Sequence, residues 1–88
     1  MEKLRKIPIT PKFYKTLPES PGVYVYFYDE KPIYIGKAVN LKRRVSSYFD
    51  IDLEPKTARM ISEANFFSYI KVTSELEALL LEAKLIRK

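Results

Sequence analysis

The segment Pro21-Gly22-Val23-Tyr24-Val25-Tyr26-Phe27-Tyr28-Asp29-Glu30-Lys31-Pro32-Ile33-Tyr34-Ile35-Gly36 decides the fold. Its first half alternates strictly. Val23, Val25 and Phe27 lie on one side and Tyr24, Tyr26 and Tyr28 on the other, the pattern of a strand with an aliphatic face and a phenolic face. Asp29-Glu30-Lys31 has turn chemistry, and Pro32 to Gly36 returns with the same alternation, which predicts an antiparallel hairpin. A three-residue turn leaves Tyr28 opposite Pro32 and pairs Tyr26 with Tyr34 and Tyr24 with Gly36. Tyr24 and Tyr34 then fall diagonally on one face, about 7 to 8 Å apart at their Cα atoms, and a slip of one residue would separate them. Gly36, opposite Tyr24, leaves room above the sheet for a backbone or a phosphate to approach; it reads equally well as a glycine that ends a strand.

Upstream, residues 1 to 9 show no clear period and read as a loose lead-in. A short helix is expected from Thr10, with Thr10 as cap, Pro11 at the first helical position and Phe13, Tyr14 and Leu17 on one side, stopped by Pro18. Downstream, Asn40 caps an expected helix from Leu41 to Phe49. Its apolar stripe is Leu41, Val45, Tyr48 and Phe49, with Arg44 at the edge on the side of Tyr48 and with Lys42 and Arg43 pointing away. Asp50 to Pro55 reads as an acidic loop. A second helix follows from about Lys56 to Asn65, with Ala58, Met60 and Ile61 inward, then a third strand from Phe66 to Val72. Ser74 and Glu77 form a capping box that opens a helix to the C-terminus.

In that last helix Glu82 is singular: Ala78, Leu79, Leu85 and Ile86, its neighbours three and four residues away, are all apolar. A carboxylate so placed is partly desolvated and needs a cation or hydrogen bonds. It reads either as a metal ligand or as half of a structural ion pair. Glu75 and Glu77, in the first turn, are explained by capping and the helix dipole.

The chain has 88 residues and a net charge of +5, with 16 basic and 11 acidic residues. That length makes one domain with one modest core, burying about 60 to 65% of the unfolded surface. From Lys31 to Phe49 the cations Lys31, Lys37, Lys42, Arg43 and Arg44 stand without an acid, so the net charge resides there and points to a polyanionic partner. Neither cysteine nor histidine occurs, which excludes disulfides, thiolate nucleophiles, imidazole bases and the usual zinc ligands. A metal would be held by oxygen, which suits magnesium or manganese. No apolar run is long enough to span a bilayer and the start has no signal-peptide character, so a soluble, cytoplasmic protein without membrane attachment is expected.

Phosphodiester hydrolysis needs a group that handles water, a cation near the non-bridging oxygens and relief of charge on the leaving oxygen. Tyrosine hydroxyls, Arg44, Lys37 and Glu82 are the available parts. A phenol with its ordinary pKa of about 10 is a poor base and needs positive charge nearby, which Lys37, three residues after Tyr34, could supply. One suspicious carboxylate argues for one metal ion rather than two.

Pro21-Gly22-Val23-Tyr24, then Tyr34-Ile35-Gly36-Lys37-Ala38, Leu41, Arg44, Ser47-Tyr48-Phe49, Lys56-Thr57 and Glu77-Ala78-Leu79-Leu80-Leu81-Glu82-Ala83 with Leu85-Ile86 resemble the GIY-YIG nuclease family, in its bacterial excision-repair branch. The resemblance covers roughly residues 18 to 88. It implies an α+β fold, a small three-stranded antiparallel sheet flanked by helices, with residues 1–17 as lead-in and short helix and 18–88 as the endonuclease domain of a longer protein. It implies incision of lesion-bearing double-stranded DNA on the 3′ side of the damage, with one divalent cation, Mg²⁺ or Mn²⁺, held by Glu82. By position, Tyr34 would orient or deprotonate water with Lys37 assisting, Arg44 would stabilise the pentacovalent phosphate, Tyr24 and Tyr48 would complete the pocket, and Gly36 would keep its floor open. Lys31, Asn40, Lys42 and Arg43 are the candidate DNA contacts. The implied partner is the damage-loading protein UvrB, through regions outside this stretch, and the domain itself is expected to be monomeric. In this branch an asparagine is common two residues after the glutamate, where Lys84 stands here, and the family pattern continues past Lys88 to a further active-site asparagine. Two other readings compete: a DNA-binding module without catalysis, and a homing or small stand-alone member of the family. Against the last stand Lys37-Ala38, Ser47-Tyr48-Phe49 and Leu81-Glu82-Ala83, which resemble the repair branch.

Overall fold

The computed structural model describes residues 5–49 and 55–87. Alternation and turn chemistry do form the hairpin, as β2 (Gly22–Tyr28) and β3 (Lys31–Ala38). The turn is shorter than expected. Asp29, at φ 54°, and Glu30 alone connect the strands, so Tyr28 faces Lys31 and Phe27 faces Pro32. A register shift between Tyr26 and Phe27 absorbs the difference and returns Tyr26 opposite Tyr34 and Tyr24 opposite Gly36. Asn65 secures the turn from a distance. Its side-chain oxygen accepts from the Asp29 N–H (2.7 Å) and its amide donates to the Asp29 carboxylate (2.8 Å).

Among the described residues the sheet has four antiparallel strands, one more than the sequence pattern showed, in the order β1-β4-β2-β3. The extra strand, β1 (Ile7–Pro8), lies in the stretch read as a loose lead-in and pairs with Phe67 and Phe66 of β4 (Phe66–Lys71). Two residues are too few to show a period. Beyond β1, the helix expected from Thr10 is reduced to a 3-10 helix, Phe13–Thr16, because Lys12 enters it in the left-handed region, at φ 63°. Its apolar side still forms as expected: Phe13 and Leu17 are buried.

Both faces of β2 are covered, so the phenolic face is a core face. Against it pack the 3-10 helix, α1 (Leu41–Ser47) and α2 (Pro55–Glu63), enclosing Tyr24, Tyr26, Leu41, Val45, Tyr48, Ile61 and Phe67 in one cluster. Asn40 caps α1 as expected, its side-chain oxygen accepting the Arg43 N–H at 2.9 Å. Helical hydrogen bonding proper stops at Ser47, with Tyr48 as C-cap. The α1 helix is pinned by Leu41 N–H to Ser20 C=O (2.9 Å) and lies close to the sheet because Gly22 lacks a side chain: a Cβ there would come 2.5 Å from Cδ1 of Leu41. In α2, Ile61 is buried and Met60 half-buried, but Ala58, expected inward, is exposed. Of the expected acidic loop, residues 50–54 lie outside the described residues.

The aliphatic face of β2 is covered by α3 (Glu75–Ile86), whose Ala78 and Leu85 join Val23 and Val72 in a second cluster with Ile35, Ile70 and Leu81 at its rim. Ser74 caps this helix by accepting the Glu77 N–H at 3.1 Å. The reciprocal arm of the capping box goes one residue further out. The Glu77 carboxylate accepts from the N–H (2.8 Å) and hydroxyl (2.7 Å) of Thr73, which hold its pKa below the usual range. Among the described residues, no helix is long and apolar enough to cross a membrane.

Candidate nuclease site

The diagonal placement of Tyr24 and Tyr34 is realised, with ring centroids 6.2 Å apart. Their environments differ sharply. Tyr24 is fully buried, whereas Tyr34, on the edge strand, is 38% exposed. The α1 helix brings two more groups to the same face. The hydroxyls of Tyr48 and Tyr24 share a hydrogen bond at 2.5 Å, and Arg44 Nε donates to the Tyr24 hydroxyl at 3.3 Å. The Arg44 guanidinium also lies over the Tyr48 ring, 5.0 Å from its centroid. This is the inward reach expected of Arg44 from its place at the stripe's edge.

These contacts fix protonation states. Burial raises the Tyr24 pKa, opposed by the hydrogen bonds from Tyr48 and Arg44. Burial also raises that of Tyr48, and its hydrogen bond to Tyr24 pushes in the same direction. Arg44 is held more firmly in its charged form, chiefly by its bond to Tyr24. The Tyr26 hydroxyl is buried without a partner among the described residues, and burial raises its pKa strongly. Tyr24 and Tyr48 are therefore neutral phenols that pass hydrogen bonds between interior and guanidinium.

Unfolded phenols ionise near pH 10. With the folded values of Tyr24, Tyr26 and Tyr48 raised, the unfolded chain loses these protons first. Stability is thus complete below pH about 10 and falls as pH rises above it. In an alkaline titration, phenolate absorbance should stop short of the seven tyrosines until far-ultraviolet circular dichroism is lost. Ionisation of all seven with the dichroism intact would contradict this placement.

Removing single hydroxyls should separate these roles. Tyr24→Phe removes the hydroxyl that bonds both Tyr48 and Arg44 and should cost about 1 to 3 kcal/mol. Tyr48→Phe should cost less, because the Tyr24 hydroxyl keeps Arg44. Tyr26→Phe removes an unpartnered hydroxyl and should be neutral or stabilising. Urea melts of the three variants test that order.

Gly36 serves a different purpose from the open floor suggested by the sequence. The ring of its cross-strand partner fills the space: a Cβ at Gly36 would sit 2.6 Å from both Cζ and Oη of Tyr24. The glycine sets where the Tyr24 hydroxyl ends.

Lys37 and Glu82 are placed differently from the phenols. Strand alternation puts Lys37, paired with Val23, on the face opposite Tyr34. It lines a shallow recess of about 260 Å³ with Ala38, Val39, Glu75, Leu76, Ala78 and Leu79. Glu82 belongs to α3 and so to the same side of the sheet. It is half-buried beside Ala78 and Leu85, and it makes no hydrogen bond or ion pair with a described residue. The structure thus gathers Tyr24, Tyr34, Gly36, Arg44 and Tyr48 on one face and carries Lys37 and Glu82 on the other. Among the described residues no strand covers the outer edge of β3, the side on which the two sets would have to meet. Lys31 and Arg43 are exposed, and Lys42 and Asn40 are half-buried.

The donor set suits a single hard cation. Among the described residues no three acidic side chains cluster to hold a metal. Glu82 offers one carboxylate with no hydrogen-bond or ion-pair partner among the described residues, and water would supply the remaining ligands, as magnesium or manganese accepts.

Comparison with known proteins places this architecture. The family model for the UvrC-like GIY-YIG domain matches residues 20–88. UvrABC system protein C of Rickettsia canadensis is 51% identical over 72 residues, 81% of this chain and 11% of the relative. That of Mesoplasma florum is 51% identical over 73 residues, 82% of this chain and 12% of the relative. The chain therefore spans about an eighth of the length of these relatives. The crystal structure of the GIY-YIG N-terminal endonuclease domain of UvrC from Thermotoga maritima, bound to its catalytic divalent cation, magnesium, superposes with a TM-score of 0.80. It is 43% identical, over 88% of this chain and 85% of that one. Phenylalanine variants of three tyrosines in that domain, each with the cation bound, have the spacings ten and fourteen, the separations of Tyr24, Tyr34 and Tyr48 here. A fourth variant replaces an asparagine forty-five residues beyond the third tyrosine, a separation that here passes Lys88. By matched length, sequence identity and superposed fold, the chain belongs to the UvrC-like GIY-YIG domain family.

Proposed function

We propose that this domain is the metal-dependent DNA endonuclease module of an excision-repair protein, hydrolysing a phosphodiester on the 3′ side of a lesion. The observation that carries the reading is the Arg44–Tyr24–Tyr48 hydrogen-bonded chain beside the open phenol of Tyr34. Arg44 is exposed to solvent, oriented by its bond to Tyr24 and its place over the Tyr48 ring, and permanently charged, so it can meet the charge that grows on the phosphoryl oxygens. Of Tyr24, Tyr34 and Tyr48, Tyr34 is the phenol with access to solvent, and its oxygen orients the attacking water or receives its proton. The fully buried Tyr24 is the weaker candidate for that task, because it already holds Arg44 and Tyr48. Lys37 contributes positive charge from the other side of β3. A divalent cation bound at Glu82 would supply charge neutralisation at the phosphate.

The unit runs from 18 to 88, with 1–17 as a lead-in whose Phe13 and Leu17 are packed into it. Lys31, Asn40, Lys42 and Arg43 would meet the DNA backbone, which positions the cut without reading sequence. The substrate is lesion-bearing duplex DNA. Delivery would come from UvrB acting on other parts of a longer cytoplasmic protein, with this domain as a monomeric unit.

A manganese soak followed by anomalous diffraction tests the arrangement. A peak beside Glu82, at the β3 edge towards Tyr34, is expected; a peak elsewhere sinks the assignment. In solution the chain should nick lesion-bearing duplex with Mg²⁺ or Mn²⁺ and not with chelator. Salt-dependent binding that never yields a cut with either metal would favour the non-catalytic module instead.

A further inference from the structure

Arg5 to Pro18 contains four cations, Arg5, Lys6, Lys12 and Lys15, and no acid. Lys6 is engaged, paired with Glu30 at 3.2 Å and set over the Phe27 ring. Lys12 and Lys15 are exposed and have no side-chain partner among the described residues. They flank Tyr14, whose ring stacks on that of Phe49 at 5.0 Å and an interplanar angle of 17°. Phe13 abuts both rings edge-on, at 6.0 and 5.7 Å, and props the pair from the core side. Phe49 is 40% exposed, and it follows Tyr48 directly.

Lys42 completes the patch. Half-buried on the first turn of α1, it donates its N–H to the Pro18 carbonyl at 3.2 Å, which ties α1 to the residues just after the 3-10 helix. Lys12 and Lys15, on either side of Phe13-Tyr14 in the chain, and Lys42 on the helix that leads to Phe49 thus accompany a propped, half-exposed aromatic stack that continues directly from Tyr48.

Lys12 adds a second observation. It holds φ 63° with a full side chain, where glycine would be relaxed. Strain of this kind, kept at an exposed position, points to use of the side chain.

We propose that the 3-10 segment and α1 form a docking surface for an unpaired DNA strand that flanks the cut. Lys12, Lys15 and Lys42 contact phosphates, and the Tyr14–Phe49 pair offers a stacking platform for a base. Unpaired rather than duplex DNA fits, because only an unstacked base presents a face to an aromatic ring. The inference rests on DNA being the substrate, as proposed above. The 3-10 segment itself lies ahead of the residues matched by the family model.

The test measures anisotropy of a labelled oligothymidine and of a duplex of equal length across a salt series. Lys12→Gln with Lys15→Gln should lower the slope of log K against log salt by about 1.4 for the single strand. Tyr14→Leu, which keeps apolar contact with Phe49, should weaken oligothymidine binding about tenfold and leave the duplex within twofold. Lys12→Gly should raise Tm by about 4 °C while weakening binding, so lost affinity is not lost folding. Unchanged slopes and affinities in the double glutamine variant, or equal loss on both DNAs from Tyr14→Leu, would overturn the proposal. Metal-dependent nicking by the parent chain in the same preparation judges the nuclease reading separately.

Discussion

Glu82→Ala is expected to lower metal-dependent nicking about a thousandfold while leaving the fold as stable as the parent. The two halves of this expectation have different origins. Activity falls because Glu82 is the one carboxylate proposed to hold the cation. Stability is preserved because the side chain is half-buried without an ion pair or hydrogen bond to a described residue, so its removal strands no partner. Alanine is the best helix former, and a carboxylate among apolar neighbours contributes little to the folded state. Glu82→Gln keeps the shape and removes the charge, and should be equally inactive. Gel-based nicking rates with Mg²⁺ or Mn²⁺, read beside thermal melts, make the comparison. A Glu82→Ala protein that cuts at the parental rate would remove the carboxylate from the mechanism.

Gly36→Ala should be the most damaging single-methyl change to the proposed site. The added Cβ would lie 2.6 Å from two atoms of the Tyr24 ring, well inside contact distance. Tyr24 is fully buried among Tyr26, Tyr48 and Phe67, with ring centroids about 6 Å away on each side, so it has little room to turn. Any turn also displaces its hydroxyl from Tyr48 and Arg44. Overpacking of this kind costs about 3 kcal/mol, which for a domain of this size lowers Tm by about 12 to 24 °C. The surviving folded fraction should lose nicking by more than tenfold, because Arg44 loses the acceptor that positions it. A variant with the parental Tm would show that the ring and the glycine are not in contact.

Much of this was legible in the sequence, for identifiable reasons. Strand alternation is a period-two signal, and it put Tyr24 and Tyr34 on one face even though the turn is a residue shorter than expected; the bulge repaired the register. Asn40 and Ser74 cap their helices because capping is local. What was not legible depends on ring orientation or on distant elements. Nothing in the sequence says that the Tyr24 ring lies across Gly36, so the glycine read as open space. The three-residue interval from Tyr34 to Lys37 suggested closeness, yet an odd interval in a strand means opposite faces. Lys12 carries no signal of its left-handed backbone, and β1 is too short to have a pattern. The paired turn of Asn65 with Asp29 joins residues 36 apart and has no local signature at all.

The uncovered edge of β3 has a consequence for behaviour in concentrated solution. The site proposed to span this sheet edge would require the edge to stay free, yet free edges recruit other strands into intermolecular sheets. This strand opens with Lys31 and Pro32, shifts register near its start and carries Lys37 further along. A proline cannot donate to a new ladder, and lysines repel a second copy of themselves. The cations proposed to attract a polyanion thus also act as gatekeepers against self-association.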